Sequence, residues 1–318
     1  MNKAIKSFFK RKIVENVLLI FILLGVIITV FTPNLPFIQR SADLANQSMM
    51  IYLAFGMFFL IVDQTRLMII TMISAAIFAF FLKESTNSRI KYAAVNSSEK
   101  FKISLINLSS IDSDPSKVIR NIAKKNFDLL VFQEYTPNWK SLIEDNLNTS
   151  YPFKISIPRI DVYGLNVYSR YPILKQDTLY CEEIPILRLE VFKNNQRFII
   201  LTAYFPPPIN NLSKKINQDE LNLIAQSIKD LDEPVIVAGV FNIVPWSPEI
   251  QSFKDKGDLI DSRSGYIPSM DKNSGGIFGK PVTHIFYKPA LECTNFNISR
   301  ADNDEYGIEA FFQLQENK

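Results

Sequence analysis

The first 83 residues hold three apolar runs, and they constrain the fold more than anything else in the chain. Val17 to Phe31 carries no charge, and Met49 to Val62 is separated from Leu67 to Leu82 only by Asp63-Gln64-Thr65-Arg66. A helix that crosses a bilayer takes about 20 mostly apolar residues. The first run reaches that length with Ile13 to Glu15, and the other two reach it with their uncharged flanks. No amphipathic segment lies between the runs to bury them as core helices. The expectation is therefore three transmembrane helices, at about 13–32, 46–62 and 67–83. Lys3, Lys6, Lys10, Arg11 and Lys12 precede the first, whereas the 32–48 loop holds only Arg40 and Asp43. The positive-inside rule then keeps the N-terminus cytoplasmic, and three crossings leave the C-terminal domain extracytoplasmic. A cleaved signal peptide in place of the first run would put that domain on the same side.

Residues 84–99 are polar and read as a linker, and 100–318 are enough for one sizeable domain. From Glu84 onward there are 27 basic and 29 acidic residues, so bulk charge makes a nucleic-acid partner unlikely as a class. Cys181 and Cys293 are able to pair in an oxidising compartment, but two cysteines are too few for a disulfide framework. Strand-like runs fall at Phe101–Asn107, Asp128–Phe132, Phe153–Ile157, Gly164–Tyr168, Ile186–Phe192, Arg197–Tyr204, Val235–Ala238, Val282–Tyr287 and Ile308–Leu314. Helical patterns open at Asp114-Pro115 and cover 138–147 and 212–231. Strands with intervening helices indicate an α/β or α+β sandwich with mixed sheets.

The run Pro234 to Asn242 reads as a buried strand that ends in a glycine turn and presents Val240 and Asn242 at its C-terminal end. Ligands in layered α/β folds are met at that edge. Together with Ile103–Asn107, Asp128–Glu134, Gly164–Ile173, Pro245–Pro248, Pro281–Phe286 and Asp304–Ile308, this run resembles the endonuclease/exonuclease/phosphatase superfamily. The likeness is to its bacterial membrane-anchored branch. The resemblance implies a four-layer α/β sandwich of two facing mixed sheets behind the three spans. It also implies hydrolysis of phosphodiesters or phosphomonoesters with Mg²⁺ or a similar ion.

The resemblance places Asn107, Glu134 and Asp304 on the metal side, and Asn242, Tyr204 and Glu305 among the catalytic positions of a remnant or altered site. Val240 stands where the family has an aspartate, Glu305 where it has the base-forming histidine, and Thr283 where an aspartate orients that histidine. Tyr204 replaces a frequent histidine, as in the abasic-site endonuclease branch. The chain has one histidine, His284, on a strand and not at the base position. A carboxylate with an ordinary pKa near 4.3 is a weaker base than imidazole at neutral pH. Valine neither ligates metal nor orients water. Each retained residue also has a plainer reading: Glu134 as a solvated strand-end carboxylate, Asn107 and Asn242 as turn residues, Asp304 and Glu305 as an acidic turn, and His284 as a hydrogen-bonded sheet residue.

The expected function is a domain at a bacterial inner membrane that has lost ordinary hydrolysis. It would bind a phosphorylated lipid headgroup, an envelope ligand or a protein, with Mg²⁺ or Mn²⁺ held weakly or not at all. The alternatives are an active divalent-metal phosphodiesterase with an altered site, and a passive ectodomain on functional membrane helices.

Overall fold

Strands that are apolar on both faces belong in the middle of a layered fold, and the computed structural model places two sets of them face to face. It describes residues 9, 11–31, 41–83, 86–92, 100–264, 279–301 and 304–315. The chain divides into two compact units, Met1–Thr86 and Asn87–Lys318.

The first unit contains α1 (Lys12–Phe31), α2 (Ala45–Ile61) and α3 (Thr65–Lys83). Two of them, α1 and α3, are long and apolar enough to cross a membrane by length and composition. The expected middle span is a shorter apolar helix of 17 residues, which rises about 26 Å against a hydrocarbon thickness of about 30 Å. It stops because the chain turns at Asp63, whose φ of 59° is left-handed. The helices turn Ile13, Phe21, Phe31, Met57, Leu60 and Phe80 outward. Lys3, Lys6, Lys10 and Arg40 lie outside the described residues.

The second unit is built on two six-stranded sheets. The first contains β1 (Lys100–Asn107), β2 (Leu129–Gln133), β3 (Phe153–Ile157), β4 (Leu165–Ser169), β11 (Leu291–Ala301) and β12 (Asp304–Leu314), in the order β11-β12-β1-β2-β4-β3. The second contains β5 (Ile173–Cys181), β6 (Ile184–Lys193), β7 (Gln196–Tyr204), β8 (Val235–Val240), β9 (Ile260–Asp261) and β10 (Thr283–Tyr287), in the order β5-β6-β7-β8-β10-β9. Both sheets are mixed: β1 runs parallel to β2 and β7 to β8, and the other pairs are antiparallel. Ile103, Leu105 and Val131 meet Leu189, Ile200 and Ile236 in the core between the sheets. Helices α4 (Pro115–Lys124) and α5 (Lys140–Leu147) cover the outer face of the first sheet through Val118, Ile119, Ile122, Ile143 and Leu147. Helices α6 (Asn211–Ile228) and α7 (Pro248–Gly257) cover the second through Leu221, Ile224, Ile228, Ile250 and Phe253.

Local signals set these elements. Asp114 caps α4 by accepting from Ser116 and Lys117 N–H, with Pro115 in the first turn. Asn210 and Ser213 form a reciprocal capping box on α6. Strands β5, β9 and β11 and helix α7 were not expected. All three strands are sheet edges, β9 is only two residues long, and bulges at Cys293/Asn295 and Ser299/Arg300 break the alternation of β11. Helix α7 had a readable start, since Ser247 caps it and Pro248 opens it.

Cys181 and Cys293 are both free. Cys181 lies on β5 at one edge of the second sheet, and Cys293 lies on β11 at the edge of the first sheet, so the pairing considered from sequence is not made. The described part of the linker runs between β9 and β11. Asn87 N–H donates to Arg263 O and Lys91 N–H donates to Cys293 O, closing one open edge of the sandwich. The rest of the linker, 84–85 and 93–99, lies outside the described residues.

Candidate functional site

The registers bring Asn107, Gln133, Leu165, Tyr204, Val240 and Thr283 to one end of the sandwich. Four of the expected residues meet there. Asn107, at the end of β1, donates from Nδ2 to Glu134 Oε1 at 2.8 Å. Its Oδ1 accepts from Ser109 N–H at 3.1 Å, which caps the following turn. Glu134 follows β2 with φ 55°, and Asn242 follows β8 with φ 54°. Asparagine tolerates that conformation, but a glutamate there is uncommon and costs backbone energy. Asn242 Nδ2 donates to Phe205 O at 2.7 Å. Tyr204 lies beside the two, near enough for both Glu134 and Asn242 to act on its phenol. Burial first, and the charge of Glu134 second, push its phenol up to about 12, against the lowering bond from Asn242. Asn107 and Asn242 thus perform the turn-satisfying roles of the plainer reading and still face the cluster.

Gln133 joins the two sheets at this point, a role the sequence reading missed. It is fully buried, and its Nε2 donates to Ala203 O at 2.6 Å while its Oε1 accepts from Val240 N–H at 2.8 Å. A polar residue closing an otherwise apolar run was the available signal. Gly239 permits the close parallel packing beside it, because a Cβ there would lie 2.3 Å from Ala203 O. Val240 is 4% exposed and pairs across the sheet with Tyr204 and Thr283.

His284 is fully buried and committed on both sides. Its Nδ1 lies 2.8 Å from Asp261 Oδ2 and its Nε2 lies 2.9 Å from Ile243 O. One partner is a carboxylate and the other a backbone carbonyl, so both ring nitrogens are engaged. Burial opposes the charge on Asp261, but His284 and Arg263 outweigh it and hold the carboxyl below its ordinary value. Arg263 is also buried and donates to Thr283 O at 2.5 Å; burial pulls its guanidinium down to about 10 against the pull of Asp261. Nothing in sequence order points to this triad, whose members are brought together by the β9–β10 pairing.

Glu305, on β12, pairs with Arg300 at 2.6 Å and is not joined to the Glu134 cluster by any described contact. Asp304 pairs through its backbone with Ala301, and its side chain lies outside the described residues. Arg170 lies past the far end of β4 from this cluster, bonded to Asn126 at 2.7 Å and over the Tyr151 ring. Trp246 is buried in its loop. A hard divalent ion wants oxygen ligands and one or two carboxylates beside waters. Glu134 offers one, the Asn107 amide faces it with nitrogen, and Val240 offers none. Among the described residues no group of three or more His, Cys, Asp or Glu is placed to hold a metal ion. The described donor set therefore fits such an ion poorly.

No curated protein matches the chain. The sequence profile of the Endonuclease/Exonuclease/phosphatase family matches residues 105–300, which include Asn107, Glu134, Tyr204, Asn242 and Thr283 but stop short of Asp304 and Glu305. Among solved structures, an endonuclease/exonuclease/phosphatase from Bacteroides vulgatus is similar at TM-score 0.57 and 15% identity, over 68% of this chain and 99% of its own. A humanized D. rerio TDP2 with 14 mutations is similar at TM-score 0.55 and 16% identity, over 68% of this chain and 100% of its own. A mannosyl-6-phosphatase from Bacteroides thetaiotaomicron gives TM-score 0.50 at 16% identity, over 68% of this chain and 99% of its own. These likenesses carry the fold, and the profile match, which covers more than half of the chain, carries the family. The chain belongs to the endonuclease/exonuclease/phosphatase family.

Proposed function

We propose that this protein is a membrane-anchored, extracytoplasmic member of the family that binds a phosphorylated lipid headgroup or envelope ligand and has lost ordinary hydrolysis. The observation that carries the reading is the commitment of His284. The only imidazole in the chain is buried, with both nitrogens engaged by Asp261 and Ile243, so it is not available as a general base. Val240 adds to this by placing an alkyl group at the strand end beside Tyr204. The anchoring reading takes α1, α2 and α3 as three spans, with the N-terminus in the cytoplasm of a bacterial cell. An extracytoplasmic domain meets lipid and envelope phosphates before it meets chromosomal DNA, and a protein partner is compatible with the same surface.

The full chain in detergent, supplied with Mg²⁺ or Mn²⁺ and a generic phosphodiester or phosphomonoester, is expected to show no turnover above background. Turnover that disappears in Glu134→Ala would overturn this reading. It would favour the second one, an active phosphodiesterase with an altered site, which the intact cluster of Asn107, Glu134, Tyr204 and Asn242 supports. That second reading also expects divalent-metal uptake that weakens in Glu305→Gln.

A further inference from the structure

Helix α6 turns two polar side chains into its buried face. Asn217 and Glu220 stand one turn apart, where the Cβ atoms of successive turns lie about 5–6 Å from each other. Asn217 is 2% exposed and Glu220 is fully buried. The rest of that face is apolar, with Leu221, Ile224, Ala225 and Ile228 packed on the second sheet. Asn217 Nδ2 donates to Pro206 O at 2.9 Å, which fixes the end of the amide that carries the oxygen. Three buried oxygens are then left over, Asn217 Oδ1 and both carboxyl oxygens of Glu220, and no described residue donates to any of them. All three are acceptors, and two share a negative charge once Glu220 is ionised.

The surroundings say what such a set of acceptors takes. Among the described residues no basic side chain answers Glu220, and burial is the one influence on its carboxyl. The titratable groups that face it from other elements are Tyr163, on the β3–β4 loop, and Cys181, on β5. Burial raises both, Cys181 to about 11, so phenol and thiol stay neutral at physiological pH. Cys181 directs its thiol to Ile216 O at 3.9 Å. Arg159, the cation near Tyr163, is already held by Asp161 at 2.7 Å. Asp219 and Glu182, which act on Cys181, add only negative charge. One buried carboxylate is balanced by one positive charge, whereas a divalent ion would leave a second charge uncompensated in an apolar interior.

We propose that Asn217 Oδ1 and the Glu220 carboxylate form a binding site for a monovalent alkali cation, Na⁺ or K⁺, on the buried face of α6. Hard cations take oxygen ligands, and these oxygens have no other claim on them. The ion ties the middle of α6 to the connection from β7. Asn217 already holds Pro206 there, and Phe205 O, one residue earlier, accepts from Asn242 of the candidate site. Tyr163, which faces Glu220, also meets the Tyr204 ring edge-on at 5.9 Å. The role is structural and stands whether or not the Glu134 cluster hydrolyses a substrate. A proton competes with the ion for the carboxylate, so the ion binds as pH rises toward 8 and is displaced as pH falls.

Both tryptophans, Trp139 and Trp246, belong to the domain, so their fluorescence reports its unfolding within the full chain in detergent. Melting is compared in NaCl, KCl and N-methylglucamine chloride at about 0.15 M, where screening is equal. At about pH 9, Na⁺ or K⁺ is expected to raise the melting temperature by about 3 °C or more over N-methylglucamine, which is too large to enter. The ion that gives the larger rise is the ligand. The rise should vanish in Glu220→Gln, and in the parent it should fall below about 1 °C at about pH 5, where the proton holds the carboxylate. Melting temperatures that coincide in the three salts at the higher pH overturn the site. A rise that survives in Glu220→Gln overturns it too, because the ion then binds elsewhere. Should that variant fail to fold, the parent decides alone: a rise of equal size at both pH values overturns the site.

Discussion

Glu220 is the residue with the largest stake in pH. It lies on α6 with no exposed surface, and neither carboxyl oxygen meets a hydrogen-bond partner among the described residues. Burial alone pushes its carboxyl up to about 8. A carboxyl raised in the folded state stabilises the fold fully below its ordinary value and loses that contribution as pH rises toward 8. At about 1.4 kcal/mol per unit the loss reaches a few kcal/mol. Glu220→Gln carries no ionisable proton there, so its melting temperature relative to the parent should rise between pH 5 and pH 9. Thermal denaturation of the full chain at both pH values checks this, and a constant difference would remove the buried charge as its cause. Glu220 was legible in sequence only as a polar member of a helix. Its isolation comes from the face that α6 turns to the second sheet.

Elements are held together across the sandwich by polar crosslinks as well as by the apolar core. At the site end the link is Gln133, and at the other end it is Lys193 on β6, which pairs with Asp128 before β2 at 2.8 Å. Both members of that pair are about nine-tenths buried, and Asp128 also accepts from Lys102 N–H at 2.8 Å. Removing one partner leaves an uncompensated buried charge, which costs about 3 kcal/mol or more. Asp128→Ala should therefore lower the denaturant midpoint markedly, and Asp128→Ala/Lys193→Met should recover part of the loss. A double variant no more stable than the single would argue against charge pairing as the cause. Central strands such as β8 were legible because burial on both faces writes a continuous apolar run. Edge strands β5 and β11 were not, since half-exposed residues and bulges erase the period.

At the scale of the molecule the testable property is sidedness. With basic residues ahead of α1 and three crossings, the domain should be digested by protease added outside right-side-out membrane vesicles and protected in inverted ones. The reverse pattern would place the domain in the cytoplasm and remove lipid or envelope ligands of the outer face from consideration. The 17-residue α2 is the weak point of the three-span reading, because a helix shorter than the hydrocarbon core must thin the bilayer or draw in its flanks.

The sequence by itself determined the family, the apolar helices and the missing chemical groups, because composition and strand-end motifs are local and countable. One histidine is one histidine in any fold, and Val240 lacks a carboxylate whatever surrounds it. Only the tertiary structure decided which of the remaining residues act together. Asn107, Glu134, Tyr204 and Asn242 come from four strand ends in two sheets, and sheet register alone brings them within bonding distance. It also decided that His284 is spent on Asp261 and Ile243, since that pairing depends on β9 lying against β10. Long-range register has no local signature: it carries Glu305 to the Asn107 end of the first sheet, two residues beyond the Gly307–Ile106 pair, where its carboxylate pairs with Arg300.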